Sequence, residues 1–453
     1  MSGPIAVPPH GPLGDTLTAR RERLVRARKG PGGRAFTLHP VHADDPVDAL
    51  AAELADDVGS AVHPYEVAAL LEAQGLSVGR IQRTYRHSDL FSLAEDVYRR
   101  VPRVHAAPPV PADPWRPDHV RCLLRGILFA LPGTAYLLAG GLWGGAAGLR
   151  GLAVAALVSW AWTQGLSHRA YVRLAVGRRE AARTLAVGAP LGAVAAAATG
   201  WVVAGQGPGA AFAVGQSSYL AAGGVLLVLG HERLLAAALL PVTAGALSLL
   251  WWQPPTVVRT GMLLTGLELS VAIAALVLVR ALRGAPEPGP RTPLLHSAPY
   301  ALFGFAAGAM TLSLGEAHPY AVVVLTLSMG PAEWLLYRFR GLAVSALRAS
   351  ATPAGFLLRA AGALLLCVGV YSTLLVLGAL AASVPAAELL TVGAVLWTAL
   401  LLQAFGTAWL PAAITLSAAT TALVLPAALC DAAAAGLLLV LALVRLGSPT
   451  AHA

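Results

Sequence analysis

The sequence predicts an all-α polytopic membrane protein. About twelve transmembrane helices form two pseudo-symmetric six-helix lobes, preceded by a small N-terminal cytoplasmic helical domain. Composition is the first reason: of 453 residues, 57% are hydrophobic, 12% are charged, and mean hydropathy is +0.67. Soluble domains carry about a quarter charged residues, so a surface this poor in charge calls for lipid as its solvent. The second reason is length. Residues 184–230 and 389–430 contain no Asp, Glu, Lys, Arg or His, and each exceeds the ~20 residues of one span far enough to make a hairpin of two. The third reason is the placement of arginine, taken up below.

Residues 1–45 form a basic, Pro-rich tail with Arg20, Arg21, Arg23, Arg26, Arg28 and Lys29. The composition predicts disorder and contact with anionic headgroups, and the lack of an apolar core argues against a signal peptide. Residues 46–103 read as a cytoplasmic helical domain. Asp45 caps a helix that begins at Pro46 and places Val47, Leu50, Leu54 and Val58 on one face, with Gly59 as its stop. Pro64 opens a second helix that Gly75 ends, and Ser77–Arg86 and Asp89–Val101 follow. Residues 104–118, with Pro108, Pro109, Pro111, Pro114 and Pro117, are a stiff linker. Residues 119–282 make the first lobe, 283–296 a cytoplasmic linker and 297–446 the second lobe.

The predicted spans are 122–142, 150–168, 184–203, 210–230, 234–252, 258–280, 297–315, 319–337, 355–381, 387–405, 409–427 and 429–446. With the N-terminus inside, cytoplasmic loops hold Arg169, Arg173, Arg178, Arg179, Arg183, Arg233, Arg280, Arg283, Arg291, Arg338, Arg340 and Arg348. The opposite loops hold only Arg150 and Arg259. This bias predicts cytoplasmic termini in a cell (inner) membrane. Cys122, Cys367 and Cys430 lie in or beside apolar segments without metal or disulfide spacing. No cofactor or metal is expected, and no P-loop, dinucleotide or HExxH pattern is present.

The halves repeat weakly. Ala130-Leu131-Pro132-Gly133 of span one pairs with Ala301-Leu302-Phe303-Gly304 of span seven, and Tyr171-Val172-Arg173 with Tyr337-Arg338-Phe339-Arg340. Gly230 and Gly406 occupy equivalent turns. Six spans per copy keeps both copies in the same sense, with a pathway between them.

The stretch Tyr171-Val-Arg-Leu-Ala-Val-Gly-Arg-Arg-Glu-Ala-Ala-Arg-Thr-Leu185 runs directly into an apolar helix. It resembles the loop after the second helix in the multidrug/oligosaccharidyl-lipid/polysaccharide (MOP) flippase superfamily, where a Gly-Arg-rich, Glu-Ala-Ala-Arg-like amphipathic turn follows the helix end. The resemblance implies two six-helix lobes, cytoplasmic termini and a cytoplasmic link, here Leu282–Pro293. It also implies outward movement of an undecaprenyl-linked glycan by alternating access. Residues 338–354 keep the arginines but not the Gly-Arg-Arg-Glu wording, and the first 115 residues are foreign to the superfamily plan. Major facilitator transporters share the topology, but the aspartate of their Gly-x-x-x-Asp-x-x-Gly-Arg loop is missing here.

Ionisable groups within lipid-embedded segments need a cavity or a partner. Glu268, mid-span six, is the leading coupling candidate, against a hydrogen-bonded structural role. Glu333 follows Pro331, which can unwind span eight, and otherwise pairs with Arg338 or Arg340. Arg125, with Arg121, Arg169 and Arg173, can face a diphosphate, or anchor the chain at the basic side. Gln164, Gln403, Gln216 and His168 can bond sugar hydroxyls or join helices, and Trp160, Trp162, Trp251, Trp252, Trp397 and Trp409 suit interface or packing positions.

Expected partners are membrane lipid, a lipid-linked glycan, and a cytoplasmic protein bound by residues 46–103. Helix order there loosely resembles a TetR-like helix-turn-helix. Arg80, Arg83 and Arg86 are too few for a recognition helix, so no nucleic-acid partner is expected. Two other functions compete with transport: a non-transporting scaffold for polysaccharide biosynthesis, and a membrane-embedded transferase using Glu316, His318 and Asp431. Otherwise the chain is expected not to be an enzyme.

Overall fold

A computed structural model describes residues 45–59, 61–101, 118–286, 289 and 293–452. The basic tract, most of the Pro-rich linker and part of the 283–296 link lie outside them. The chain divides into two units near residue 113.

The N-terminal unit comprises α1 (Pro46–Glu53), α2 (Ala55–Val58), α3 (Pro64–Ala73), α4 (Val78–Arg80, continuing as a π turn over Ile81–Tyr85) and α5 (Leu90–Arg100). Asp45 accepts from the Val47 amide at 2.9 Å, and Asp89 and Ser92 form a reciprocal capping box. The expected first helix breaks at Leu54, and Leu54 and Val58 are both buried past the break. Leu71, Ile81, Leu93 and Val97 complete this core, and Tyr98 donates to the Val62 carbonyl at 2.8 Å. Arg100 ties α5 to α1: its guanidinium reaches Asp45 and Asp48 at 2.6 Å each and Asp96 at 2.8 Å.

The second unit is a helical membrane bundle, with ten helices among the described residues long and apolar enough to cross a bilayer. Its first half contains α6 (His119–Ala130), α7 (Gly133–Ala139), α8 (Gly145–Leu174), α9 (Arg178–Ala204), α10 (Pro208–Val228), α11 (Glu232–Ser248) and α12 (Thr256–Leu282). The second contains α13 (Ala298–Ala317), α14 (Pro319–Leu327), α15 (Met329–Ala349), α16 (Pro353–Ala382), α17 (Ala386–Ala404), α18 (Trp409–Thr421) and α19 (Ala427–Leu446). No strand occurs among the described residues.

Every predicted span is matched by a helix, but two fall short of full length. α11 has 17 residues and α18 has 13, or ~25 and ~20 Å at 1.5 Å per residue, against ~30 Å of hydrocarbon. Spans one and eight are each split into two consecutive pieces, α6–α7 around Leu131–Pro132 and α14–α15 at Ser328. The second break has a local cause. Pro331 supplies no amide to Leu327, four residues earlier, and its ring crowds that carbonyl. Span seven, paired with span one on sequence, is unbroken.

Neighbour relations recur with an offset of six spans, which is seven helix labels because span eight is split in two. α8 packs on α9 as α15 packs on α16, and α9 on α10 as α16 on α17. α10 meets α12 as α17 meets α19, and α11 meets α12 as α18 meets α19. The turns after α10 and α17 are built alike. Gly230 and Gly406 take φ of 77° and 82°, open to glycine at little cost, and the next amides, of His231 and Thr407, reach back to Leu226 and Leu402.

Candidate functional site: a cavity and an ion cluster between the halves

The halves meet reciprocally: α6, opening the first, crosses α15, while α13, opening the second, lies along α8. The α6–α15 crossing depends on two glycines. A Cβ at Gly126 would sit 3.0 Å from the Gly330 Cα, and one at Gly330 would sit 2.8 Å from the Cys122 carbonyl oxygen. No larger pair allows these backbones to approach so closely. One consequence is electrostatic.

The approach places Arg125 of α6 against Glu333 of α15. Arg125 Nη1 donates to Glu333 Oε1 at 2.5 Å, while its Nη2 and Nε donate to Glu232 Oε1 on α11 at 3.0 and 3.2 Å. Arg121 Nε joins Glu232 Oε1 at 2.9 Å. Arg125, Glu232 and Glu333 are 8%, 7% and 4% exposed. Two guanidinium groups thus face two carboxylates, and the cluster is close to neutral overall. Beside it, Trp334 Nε1 donates to His119 Nδ1 at 2.9 Å, a second bond between α15 and α6.

One helical turn beyond this cluster lies a cavity of about 250 Å³. Leu128, Leu235 and Met329, one turn from Arg125, Glu232 and Glu333 respectively, all border it. The remaining wall comes from both halves, including Tyr136, Trp160, Gln164 and Tyr219 from the first and Phe303, Thr311 and Leu396 from the second. None of the bordering residues is Asp, Glu, Lys, Arg or His. Both helix breaks open onto it, through Pro132 and through Thr326 and Met329. Ser159 Oγ and Trp160 Nε1, both on the wall, are buried without a hydrogen-bond partner.

The predicted site residues separate accordingly. Arg125 and Glu333 come together, and Gln164 lines the cavity. The expected partners of Glu333, Arg338 and Arg340, are replaced by Arg125, because α15 turns Glu333 inward to α6. Glu268 does not join the site. The packed stripe of α12 is Gly266, Ser270, Ala274 and Val277, and a residue two positions from Gly266 and Ser270 points to the opposite, exposed face.

The proposed diphosphate patch is differently disposed as well. Arg121 and Arg125 are engaged by Glu232, and Arg173 approaches Glu180 at 3.7 Å. Arg169 is half-buried one turn before Arg173. Gln403 is buried with its Nε2 unpartnered and lies outside the cavity wall. Gln216 joins helices, accepting from Tyr136 Oη at 2.6 Å and donating to the Leu152 carbonyl at 3.2 Å. His168 stacks on Tyr300 across the halves with centroids 3.8 Å apart.

Of the residues weighed for a transferase, His318 contacts Glu388 at 3.5 Å. Asp431 is 7% exposed, at the start of α19. No group of three or more metal-ligating side chains occurs among the described residues. Sequence reasoning missed Glu232, Gly126 and Gly330. The segment Gly230-His231-Glu232-Arg233 has the wording of a solvated turn, and nothing local marks its carboxylate as buried.

Comparison with protein-family models, with characterised proteins and with solved structures finds no match to this chain. The fold and the cavity therefore define its class, an all-α multi-pass membrane protein with an inter-half chamber.

Proposed function

We propose that the protein is a membrane transporter that moves an amphipathic, lipid-like substrate by alternating access, the arginine-rich end being cytoplasmic. A lipid-linked oligosaccharide belongs to that substrate class, its hydrocarbon in the apolar chamber and its polar part outside. One observation carries the proposal: a chamber walled by both halves is closed at the arginine-rich end by residues that also come from both halves. Opening that end requires the α6–α15 crossing with its ion pair to part, and with it the contact between the end of α8 and the start of α13 where His168 stacks on Tyr300, while each half moves as a body. The apolar wall favours a hydrocarbon occupant, and the neutrality of the ion cluster argues against a phosphate seat at its floor.

The test is transbilayer movement of a fluorescent lipid in vesicles containing the purified protein. Filling the chamber with Ala307→Trp should abolish protein-dependent movement while leaving membrane insertion intact. Movement unchanged by chamber filling, together with loss of cellular function on deleting residues 46–103, would favour the scaffold reading.

A further inference from the structure

We propose that Glu333 is the site at which a coupling proton binds, and that its protonation releases the arginine-rich end of the chamber. The proposal rests on the transport reading above and names the ion that drives it. Three geometric facts support it.

The first is an asymmetry within the ion cluster. Arg121, Arg125 and Glu232 all belong to the first half, and Glu333 is the single member from the second. Neutralising Glu333 removes the charge that binds the halves, while Arg125 keeps Glu232 as its counter-ion. The first half stays intact and the link between halves weakens. Neutralising Glu232 instead would leave Arg125 paired with Glu333 and the halves joined.

The second fact is an open valence. Glu333 is 4% exposed, and its Oε1 is held by Arg125, but its Oε2 is buried without any hydrogen-bond partner. A buried carboxylate oxygen with no donor is costly to keep ionised. It is an atom to which a proton can add without displacing any existing bond. The groups facing it are Arg125 and Cys122 on α6, Tyr171 on α8, and Tyr337 on its own helix, with Arg121 and Glu232 behind Arg125. At neutral pH the only positive charges among these are the two guanidinium groups, and Arg125 is the one that bonds Glu333 directly.

The third fact is a neighbouring bond with the same proton dependence. Trp334 is a donor only, so its 2.9 Å bond to His119 requires an unprotonated Nδ1. Protonating His119 turns acceptor into donor and ends that contact between α15 and α6. Protonation thus removes the negative charge from one polar link across this crossing and the acceptor from the other.

Binding at Glu333 forms one O–H bond at Oε2 and converts a carboxylate to a carboxylic acid. The proton comes from the aqueous phase and returns to it when the halves close again. No redox partner is needed.

The experiment is a distance measurement between spin labels at Ala175→Cys and Ser345→Cys, both exposed and at the arginine-rich end of different halves. The full chain carries Cys430→Ser in lipid nanodiscs, and the buried Cys122 and Cys367 are retained. Lowering the pH from about 8 to about 4, below the ordinary glutamate value, should shift the distribution to longer distances. Glu333→Gln should show the long distance at every pH. Trp334→Phe should keep the pH response, since Glu333 is still present.

A native protein whose distances ignore pH, combined with a widened Glu333→Gln, would remove the proton from the scheme and leave the gate standing. So would widening by sodium at constant high pH. Failure of Glu333→Gln to widen at any pH would instead overturn the gate, and with it the transport reading. Loss of the pH response in Trp334→Phe would move the proton from Glu333 to His119.

Discussion

Arg100 and Arg125 perform the same chemistry in different solvents. Each is an arginine fork serving carboxylates from separate helices, Asp45, Asp48 and Asp96 in the first case and Glu232 and Glu333 in the second. The Arg100 side chain is 29% exposed and those of its aspartates 19–41%, whereas the three members of the Arg125 group are 4–9% exposed. In water, a broken pair is replaced by hydration, and such a network is worth little. In an apolar interior nothing replaces a lost partner, so what remains is an uncompensated charge. A staple in the N-terminal unit is therefore a switch in the membrane unit: only the buried version makes the arrangement of helices depend on the ionisation of one side chain.

The most disruptive way to challenge this contrast is Arg125→Ala, which strands two buried carboxylates. Removing one partner of a buried network costs about 3–5 kcal/mol, so the thermal midpoint in detergent should fall markedly. Replacing all three members at once (Arg125→Met, Glu232→Leu, Glu333→Leu) should restore most of that stability, because no charge is then left unmatched. If the triple replacement is no more stable than Arg125→Ala, the penalty comes from packing and the electrostatic account fails.

A smaller effect is expected of Gly330→Val. Overpacking a close helix crossing typically costs about 1–3 kcal/mol. Here the added methyls push α15 off the Cys122 carbonyl, which should lengthen the distance across the arginine-rich end at every pH.

Arg100→Ala should be the mildest, about 1 kcal/mol or less. It should be read as faster hydrogen exchange in residues 45–101 of the intact chain, with the membrane helices unaffected. Acid then tests the same network with a known sign. The bond from Arg100 holds the carboxyls of Asp45 and Asp96 below the ordinary range, and the helix-capping bond from Ser92 does so for Asp89. Folded-state values below the unfolded ones mean stability present above the ordinary carboxylate pKa of ~3.9 and lost as pH falls through the folded values. Exchange in the N-terminal unit should accelerate only once the pH drops into that range, and less so in Arg100→Ala, where part of the linked stabilisation is already gone.

Much of the architecture could be read from residues with local effects. Pro46, Pro64, Gly75 and Asp89 delimit their helices where caps and breakers should. Gly230 and Gly406 end α10 and α17 in matching left-handed turns. The apolar runs became helices wherever length and composition required it. The candidate site was legible only in part. Arg125, Glu333 and Gln164 stand out because lipid-embedded polar residues are few. Glu268 stands out for the same reason, yet it projects to the outside of its helix. Counting charges along a span reveals depth in the bilayer but not azimuth, and α12's packed stripe of Gly266, Ser270 and Ala274 was the better guide to its orientation. Glu232 shows the converse failure: a charge in a turn-like string became buried because α11 starts beneath the end of α6.

What this sequence determined by itself is its solvent, its helices and the end of the bundle that gathers the arginines. Each follows from local composition, since hydrocarbon rejects charge and breakers act on adjacent backbone. Tertiary structure alone decided which ionisable groups meet. Arg125 and Glu333 lie more than two hundred positions apart, and they meet because Gly126 and Gly330 permit two backbones to touch. That contact is a property of the interface between helices, and no single helix encodes it.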